Sequence, residues 1–261
     1  MKIIRWMLWM ALVAGLVPAD AAVQEQSVEY RHEDVVLEGY LAWDDALEGP
    51  RPGVLIAHAW MGPGEYEKRR ARELAEWGYA AFVLDLYGKD IRPRDAAEAR
   101  GLTTLYRSDR SLMRSRARAA LEFLAQQPVC AGQPLAAIGY CFGGTVVLEL
   151  ARSGAPVTGV ASFHGNLDTP NPGDAANIKG EVLVLHGGDD PYVPDAQVEA
   201  FQQEMRAAGV DWQFVAYGGA VHAFSDPAAG EEPAKGAAYN ARADRRSWQT
   251  LKLFLDEVFR P

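Results

Sequence analysis

The stretch Gly139-Tyr140-Cys141-Phe142-Gly143-Gly144 decides how this chain is read. A short apolar run, Leu135 to Ile138, precedes it, and Thr145 to Arg152 follows with the pattern of a helix. Gly-x-Cys-x-Gly between a strand and a helix has the form of a nucleophile elbow. Small glycines let strand and helix cross closely while a sharp turn lifts the central side chain. Free cysteine is also among the most buried residue types, so the motif alone is evenly balanced between a chemical Cys141 and a packed one. The residues elsewhere in the chain have to decide.

Working outward, Ser27 to Trp43 alternates apolar and polar residues around His32-Glu33-Asp34 and predicts an antiparallel hairpin. Gly53 to His58, Ala80 to Leu84, Val157 to Phe163, Glu181 to His186 and Trp212 to Tyr217 read as further strands. Glu65 to Trp77, Ser111 to Gln127, Asp195 to Ala208 and Arg245 to Phe259 read as helices, the first and third stopped by Gly78 and Gly209. Asp85 to Gly101 reads as a long polar excursion at the mouth of a site. Strands alternating with helices predict an α/β fold, a mostly parallel sheet with helices on both faces. No repeat or linker divides the chain, so residues 27–261 are expected to form one domain.

The 261 residues are 49% hydrophobic and 23% charged, enough for one large core. A formal charge of -9 disfavours nucleic acid or an anionic membrane as partner, because both would need clustered Lys and Arg. A small molecule is the expected partner, and a monomer the expected state. Lys2 and Arg5 give a basic start, Trp6 to Val17 is uncharged, and Ala19-Asp20-Ala21 supplies an A-x-A cleavage site. Residues 1–21 are therefore predicted to be a secretory signal, and the mature protein periplasmic or secreted. The uncharged run is shorter than the about 20 residues of a membrane span, so no stable membrane association is expected after cleavage, an uncleaved anchor being the alternative.

Cys130 and Cys141 are the only cysteines. An oxidising compartment would suggest a disulfide. The predicted strand between them, however, separates the two by on the order of 17 Å at its rise per residue, whereas a bridge needs Cα atoms within roughly 7 Å. Two free thiols are expected.

In a parallel sheet, functional groups gather at the carboxyl ends of the strands. His58-Ala59-Trp60, Cys141, His164, His186 to Asp190, and Gly218 to His222 all follow predicted strands. The order nucleophile, acid, histidine is then Cys141, Asp190, His222, the chain order of α/β-hydrolases with cysteine in place of serine. Such chemistry needs His222 within hydrogen-bond reach of the Cys141 sulfur and an aspartate behind the imidazole. Position barely separates Asp189 from Asp190, since either suits a turn before Pro191. The Phe142 N–H at the start of the next helix is an expected oxyanion donor, and the Trp60 N–H the second. His58, His164, His186 and Asp189 share the same rim, and imidazole suits zinc. They lack tight HxH or HExxH spacing, so they are read as wall residues, with no metal expected.

Three segments together resemble the dienelactone hydrolase family: the elbow, His186-Gly187-Gly188-Asp189-Asp190-Pro191-Tyr192-Val193-Pro194, and Tyr217-Gly218-Gly219-Ala220-Val221-His222-Ala223-Phe224. Gly78 to Ala81 and Asp85 to Gly88 add to the resemblance, which covers nearly all of the mature chain. It implies an α/β-hydrolase fold, a Cys141-Asp190-His222 triad that favours Asp190 over Asp189, no cofactor, and hydrolysis of an ester or lactone through a thioester. The family's enzymes proper carry a glutamate in the loop after the third strand, where this chain has Ala59, and an arginine soon after the histidine, where it has Asp226. An aspartate repels the carboxylate that an arginine clamps, so dienelactone is a poor expected substrate and a neutral or cationic ester a better one. An acyltransferase or thioesterase on the same triad, and a binding protein that has lost catalysis, are the competing readings.

Overall fold

The computed structural model describes residues 23–260, so the predicted signal segment, residues 1–21, lies outside the described residues. Two antiparallel strands, β1 (Val23–His32) and β2 (Val35–Asp44), form the hairpin, with His32 paired to Val35 and Val23 to Asp44. Six more strands follow: β3 (Gly53–Ala57), β4 (Ala80–Val83), β5 (Leu135–Tyr140), β6 (Gly159–Phe163), β7 (Glu181–Gly187) and β8 (Trp212–Tyr217). They join in the order β1-β2-β4-β3-β5-β6-β7-β8, parallel from β4 to β8. The chain runs outward from β3 to β4 and then crosses back over β3 to lay down β5. Loops leaving the carboxyl ends of β3 and β5 therefore diverge and open a crevice at this switch point.

Among the described residues six α-helices cover the sheet: α1 (Glu65–Glu76), α2 (Ala96–Ser108), α3 (Arg110–Ala125), α4 (Phe142–Arg152), α5 (Asp195–Ala208) and α6 (Ala241–Val258). Leu74 of α1 and Phe254 and Leu255 of α6 pack on one face; Leu121 of α3, Val147 of α4 and Phe201 of α5 pack on the other. Every residue of β3, β4, β5 and β6 is buried, which is why these strands read as unbroken apolar runs.

The polar excursion from Asp85 to Gly101 contains regular structure. Helix α2 begins inside that stretch and runs to Ser108. Asp95 caps it by accepting from the Ala97 and Glu98 N–H groups, and Glu98 reaches back to the Arg94 N–H. Only Ala99 and Tyr106 of α2 are buried, so a surface helix with a thin apolar stripe is hidden from periodicity. Asp followed by Glu three residues later is its one readable signal. Smaller differences fall at element ends: α6 starts at Ala241, capped by Asn240, and β6 starts at Gly159.

The last turn of α4 is tied down by charge. Arg152, fully buried, donates from Nε and Nη2 to Glu204 of α5 at 2.8 Å each, and from Nη1 to Glu149 at 3.1 Å. Buried Glu204 loses its cation if Arg152 goes, whereas Glu149 keeps a second one, Arg114, at 2.8 Å. Arg152→Leu is expected to cost about 3–5 kcal/mol, read as a lower urea midpoint at unchanged slope.

Candidate active site

The elbow is built at the β5–α4 junction. Cys141 sits there at φ 53°, ψ −115°, a positive-φ conformation that a side-chain-bearing residue adopts only under constraint. The constraint is close packing of strand on helix. A Cβ on Gly139 would lie 2.0 Å from the Gly143 carbonyl oxygen, and one on Gly143 would lie 2.1 Å from the Ala57 carbonyl oxygen. Only glycine fits at either position, and this crossing presents the sulfur at the head of α4.

His222, in the loop after β8, places Nε2 3.1 Å from the Cys141 sulfur. Its Nδ1–H donates to Asp190 Oδ2 at 2.8 Å. The His222 loop is itself fixed: its N–H donates to the Gly236 carbonyl, and its own carbonyl accepts from Ala238. Asp190 is buried and also accepts the Tyr192 N–H at 2.9 Å, whereas Asp189 is exposed and makes no bond to the imidazole. Asp190, not Asp189, is the carboxylate behind the imidazole. The aromatic rings of Tyr192 and His164 stand edge-on to His222, each with centroids 5.3 Å away.

The charges reinforce one another. Burial acts to raise the Cys141 thiol, but the His222 charge and hydrogen bond, the Phe142 N–H and Arg107 outweigh it, and the thiol is lowered from its ordinary value. Burial likewise opposes charging His222, yet the sulfur and the Asp190 carboxylate push it up to about 10. The pair therefore favours thiolate and imidazolium over thiol and imidazole. Cys130, buried away from any such partner, is pushed up to about 12, and both thiols are free. Iodoacetamide at pH 7 should accordingly label Cys141 at least about 100-fold faster than Cys130, because only the thiolate reacts. Cys141 labelling should persist below pH 8 and fade only as pH drops through its lowered value. Equal labelling of the two cysteines by peptide mapping would contradict the pairing.

The other rim histidines have separate work. His58 Nδ1–H donates to the Ala59 carbonyl at 2.6 Å and its Nε2 accepts the Leu86 N–H, so burial holds it neutral, lowered to about 4. His164 Nδ1 accepts the Cys141 N–H at 3.1 Å, beside the Phe163 carbonyl, and its Nε2–H donates to Ser225, which also meets the Tyr66 hydroxyl. His186 lies against Phe214, with ring centroids 5.3 Å apart. Among the described residues, no three His, Cys, Asp or Glu side chains are grouped to hold a metal ion. Asp226 caps a short turn by accepting the Ala228 N–H. Trp60 is exposed, and its carbonyl accepts the Tyr87 hydroxyl at 2.8 Å.

The family model for the dienelactone hydrolase family matches residues 37–259. The chain belongs to the dienelactone hydrolase family. An uncharacterized protein of Caenorhabditis elegans is 38% identical over 156 residues, 58% of this chain and 98% of that one. A provisionally named carboxymethylenebutenolidase of Yersinia pestis is 27% identical over 82% of this chain and 81% of its own. Among solved structures, one named m3DLH superposes with a TM-score of 0.88 at 40% identity, covering 92% of this chain and all of that one. A dienelactone hydrolase-like promiscuous phosphotriesterase from metagenomic libraries does so with 0.86 at 42%, with the same coverage. This dienelactone hydrolase family member thus has the α/β-hydrolase fold and is a hydrolase.

Four residues around the site have contacts that sequence reading does not assign: Glu67, Tyr87, Arg107 and Ser225. Tyr87 and Arg107 lie on or beside the stretch that reads as a polar excursion, and Glu67 and Ser225 look like ordinary surface polar residues until the fold buries them.

Proposed function

We propose that this hydrolase cleaves carboxylic esters or lactones through an acyl-thioester on Cys141. The observation that carries the reading is the chain of contacts from Asp190 through His222 to the sulfur, 2.8 Å and 3.1 Å. The Cys141 thiolate attacks the acyl carbon, forming a C–S bond and an oxyanion that accepts from the Phe142 and Trp60 N–H groups. The intermediate collapses, the C–O bond breaks, and His222 Nε2–H hands its proton to the leaving alkoxide. His222, now neutral, takes a proton from water as the water attacks the thioester; collapse then expels the thiolate and releases the acid. Asp190 keeps the imidazole in the tautomer and orientation both halves need.

Dienelactone itself is not the expected substrate. Neither Ala59 nor Asp226 provides the family's carboxylate-linked groups, and Arg107 near the sulfur is already engaged by Asn166 and Asp168. A phosphate triester is the second reading, favoured by the 42% identity to a relative named as a promiscuous phosphotriesterase. Residues 1–21 support action outside the cytoplasm, and transfer of the acyl group to an acceptor other than water is the competing fate of the thioester.

A panel of aryl esters, lactones and aryl phosphate triesters, run with intact-mass detection of the enzyme, tests this. An acyl adduct on Cys141 with turnover of esters or lactones is the expected result. Adducts and turnover from phosphate triesters alone would transfer the assignment to the second reading. No adduct and no turnover on any member would favour a binding protein.

A further inference from the structure

Glu67 is a carboxylate in the third position of α1, and it is 3% exposed. Its Oε2 accepts the Gly64 N–H at 2.9 Å, the local bond of a helix cap. Its Oε1 does something no cap requires: it reaches eight residues back and accepts the Ala59 N–H at 3.0 Å. One carboxylate therefore clasps both ends of the loop Ala59–Gly64, which leaves the carboxyl end of β3 beside the elbow. Burial acts to raise Glu67, with Asp226 adding to the effect, so the bonds to Ala59 and Gly64 oppose a real cost of ionising it there.

The clasp bears on one peptide group. The Ala59 carbonyl is turned toward His58 Nδ1–H at 2.6 Å and the Gly62 N–H at 3.2 Å. A trans peptide then aims the Trp60 N–H the opposite way, and no cis peptide occurs among the described residues. That N–H donates to no protein acceptor among the described residues. Glu67 fixes the near side of this peptide through Ala59, and Tyr87 fixes the far side through the Trp60 carbonyl.

We infer that Glu67 is a positioning residue: by clasping Ala59 and Gly64 it holds the Trp60 N–H in place as the second oxyanion donor before substrate arrives. This rests on the reading of Trp60 as that donor and of Cys141 as nucleophile. A loop free to turn this peptide would leave the oxyanion with the Phe142 donor alone, and loss of one such donor costs about 100- to 1000-fold in kcat where it has been measured. Partial loosening should cost less.

Two variants separate this role from helix capping and from the nucleophile itself. Glu67→Asp keeps a carboxylate in the first turn, so the fold and the Gly64 bond survive, but it is one methylene, about 1.5 Å, short of Ala59. Glu67→Gln keeps the length but presents an NH₂ to one of the two N–H groups. Both should lower kcat for ester hydrolysis by about 10- to 100-fold with KM within about 3-fold, the split expected when only the transition state is affected. Alkylation of Cys141 by iodoacetamide should stay within about 2-fold of wild type, because displacement at an alkyl carbon builds no oxyanion and needs only the thiolate. Undiminished kcat in folded Glu67→Asp would overturn the inference. So would a parallel fall in alkylation and hydrolysis, which would mark a general structural role. Wild-type activity that survives Cys141→Ala would instead defeat the nucleophile reading, an outcome visible without any Glu67 variant.

Discussion

Cys141→Ala is expected to lower ester turnover by about 10⁴-fold or more, the scale on which nucleophile removal acts in triad enzymes. The variant should nevertheless fold. Cys141 is partly exposed at the head of α4 and only borders the packed interior. Alanine keeps the Cβ that the φ 53° turn already accommodates, so backbone strain is unchanged. The measurement is steady-state hydrolysis of an aryl ester alongside a thermal melt: loss of turnover at a wild-type midpoint is predicted. Cys141→Ser should also be poor. A hydroxyl titrates far above a thiol, so the His222 pairing that gives a thiolate cannot give an alkoxide.

The second large effect is predicted at Asp190. Asp190→Asn should lower kcat by about 10³- to 10⁴-fold with KM little changed, because an amide can donate to His222 Nδ1 and favour the wrong tautomer. The same change removes the carboxylate that helps push His222 up to about 10, so less of Cys141 should be thiolate at neutral pH. The sign follows from the pairing. Without Asp190 the thiol rises toward its ordinary value, and alkylation at pH 7 slows while alkylation above pH 9 approaches the wild-type rate. Asp189→Asn, one residue away but exposed and unconnected to His222, should leave kcat within about 2-fold. Equal losses in the two variants would remove the assignment of roles to these neighbours.

Much of this site is legible before folding. A chemical nucleophile needs a tight strand-to-helix turn, and only glycines at 139 and 143 allow it, so the elbow announces itself locally. The strand ahead of Asp190 is a continuous apolar run because it is buried along nearly its whole length. The strand ahead of His222 is half-exposed, yet its Trp212, Phe214, Val215 and Tyr217 mark it as extended. Once these ends are placed, Asp190 and His222 fall in the loops just beyond them. Helix α2 is not legible in the same way, because it buries only Ala99 and Tyr106 and its other positions are partly or fully exposed. Nothing in the local sequence tells a helix at the rim from a polar loop except its cap.

Sequence by itself determined the fold class, the family resemblance, and that Cys141, an aspartate at 189 or 190, and His222 follow successive strands in that order, since these depend on local pattern and on where strands end. Only the tertiary structure decided between Asp189 and Asp190, adjacent in the chain yet one exposed and one buried against His222. It alone showed that Glu67 leaves the helix surface to clasp the loop carrying Trp60, and that His164 meets the Cys141 backbone. The physical reason is the same in each case. A polar side chain acquires its role from the acceptors and donors that burial forces upon it, and those partners lie in other elements that only the folded sheet brings within about 3 Å.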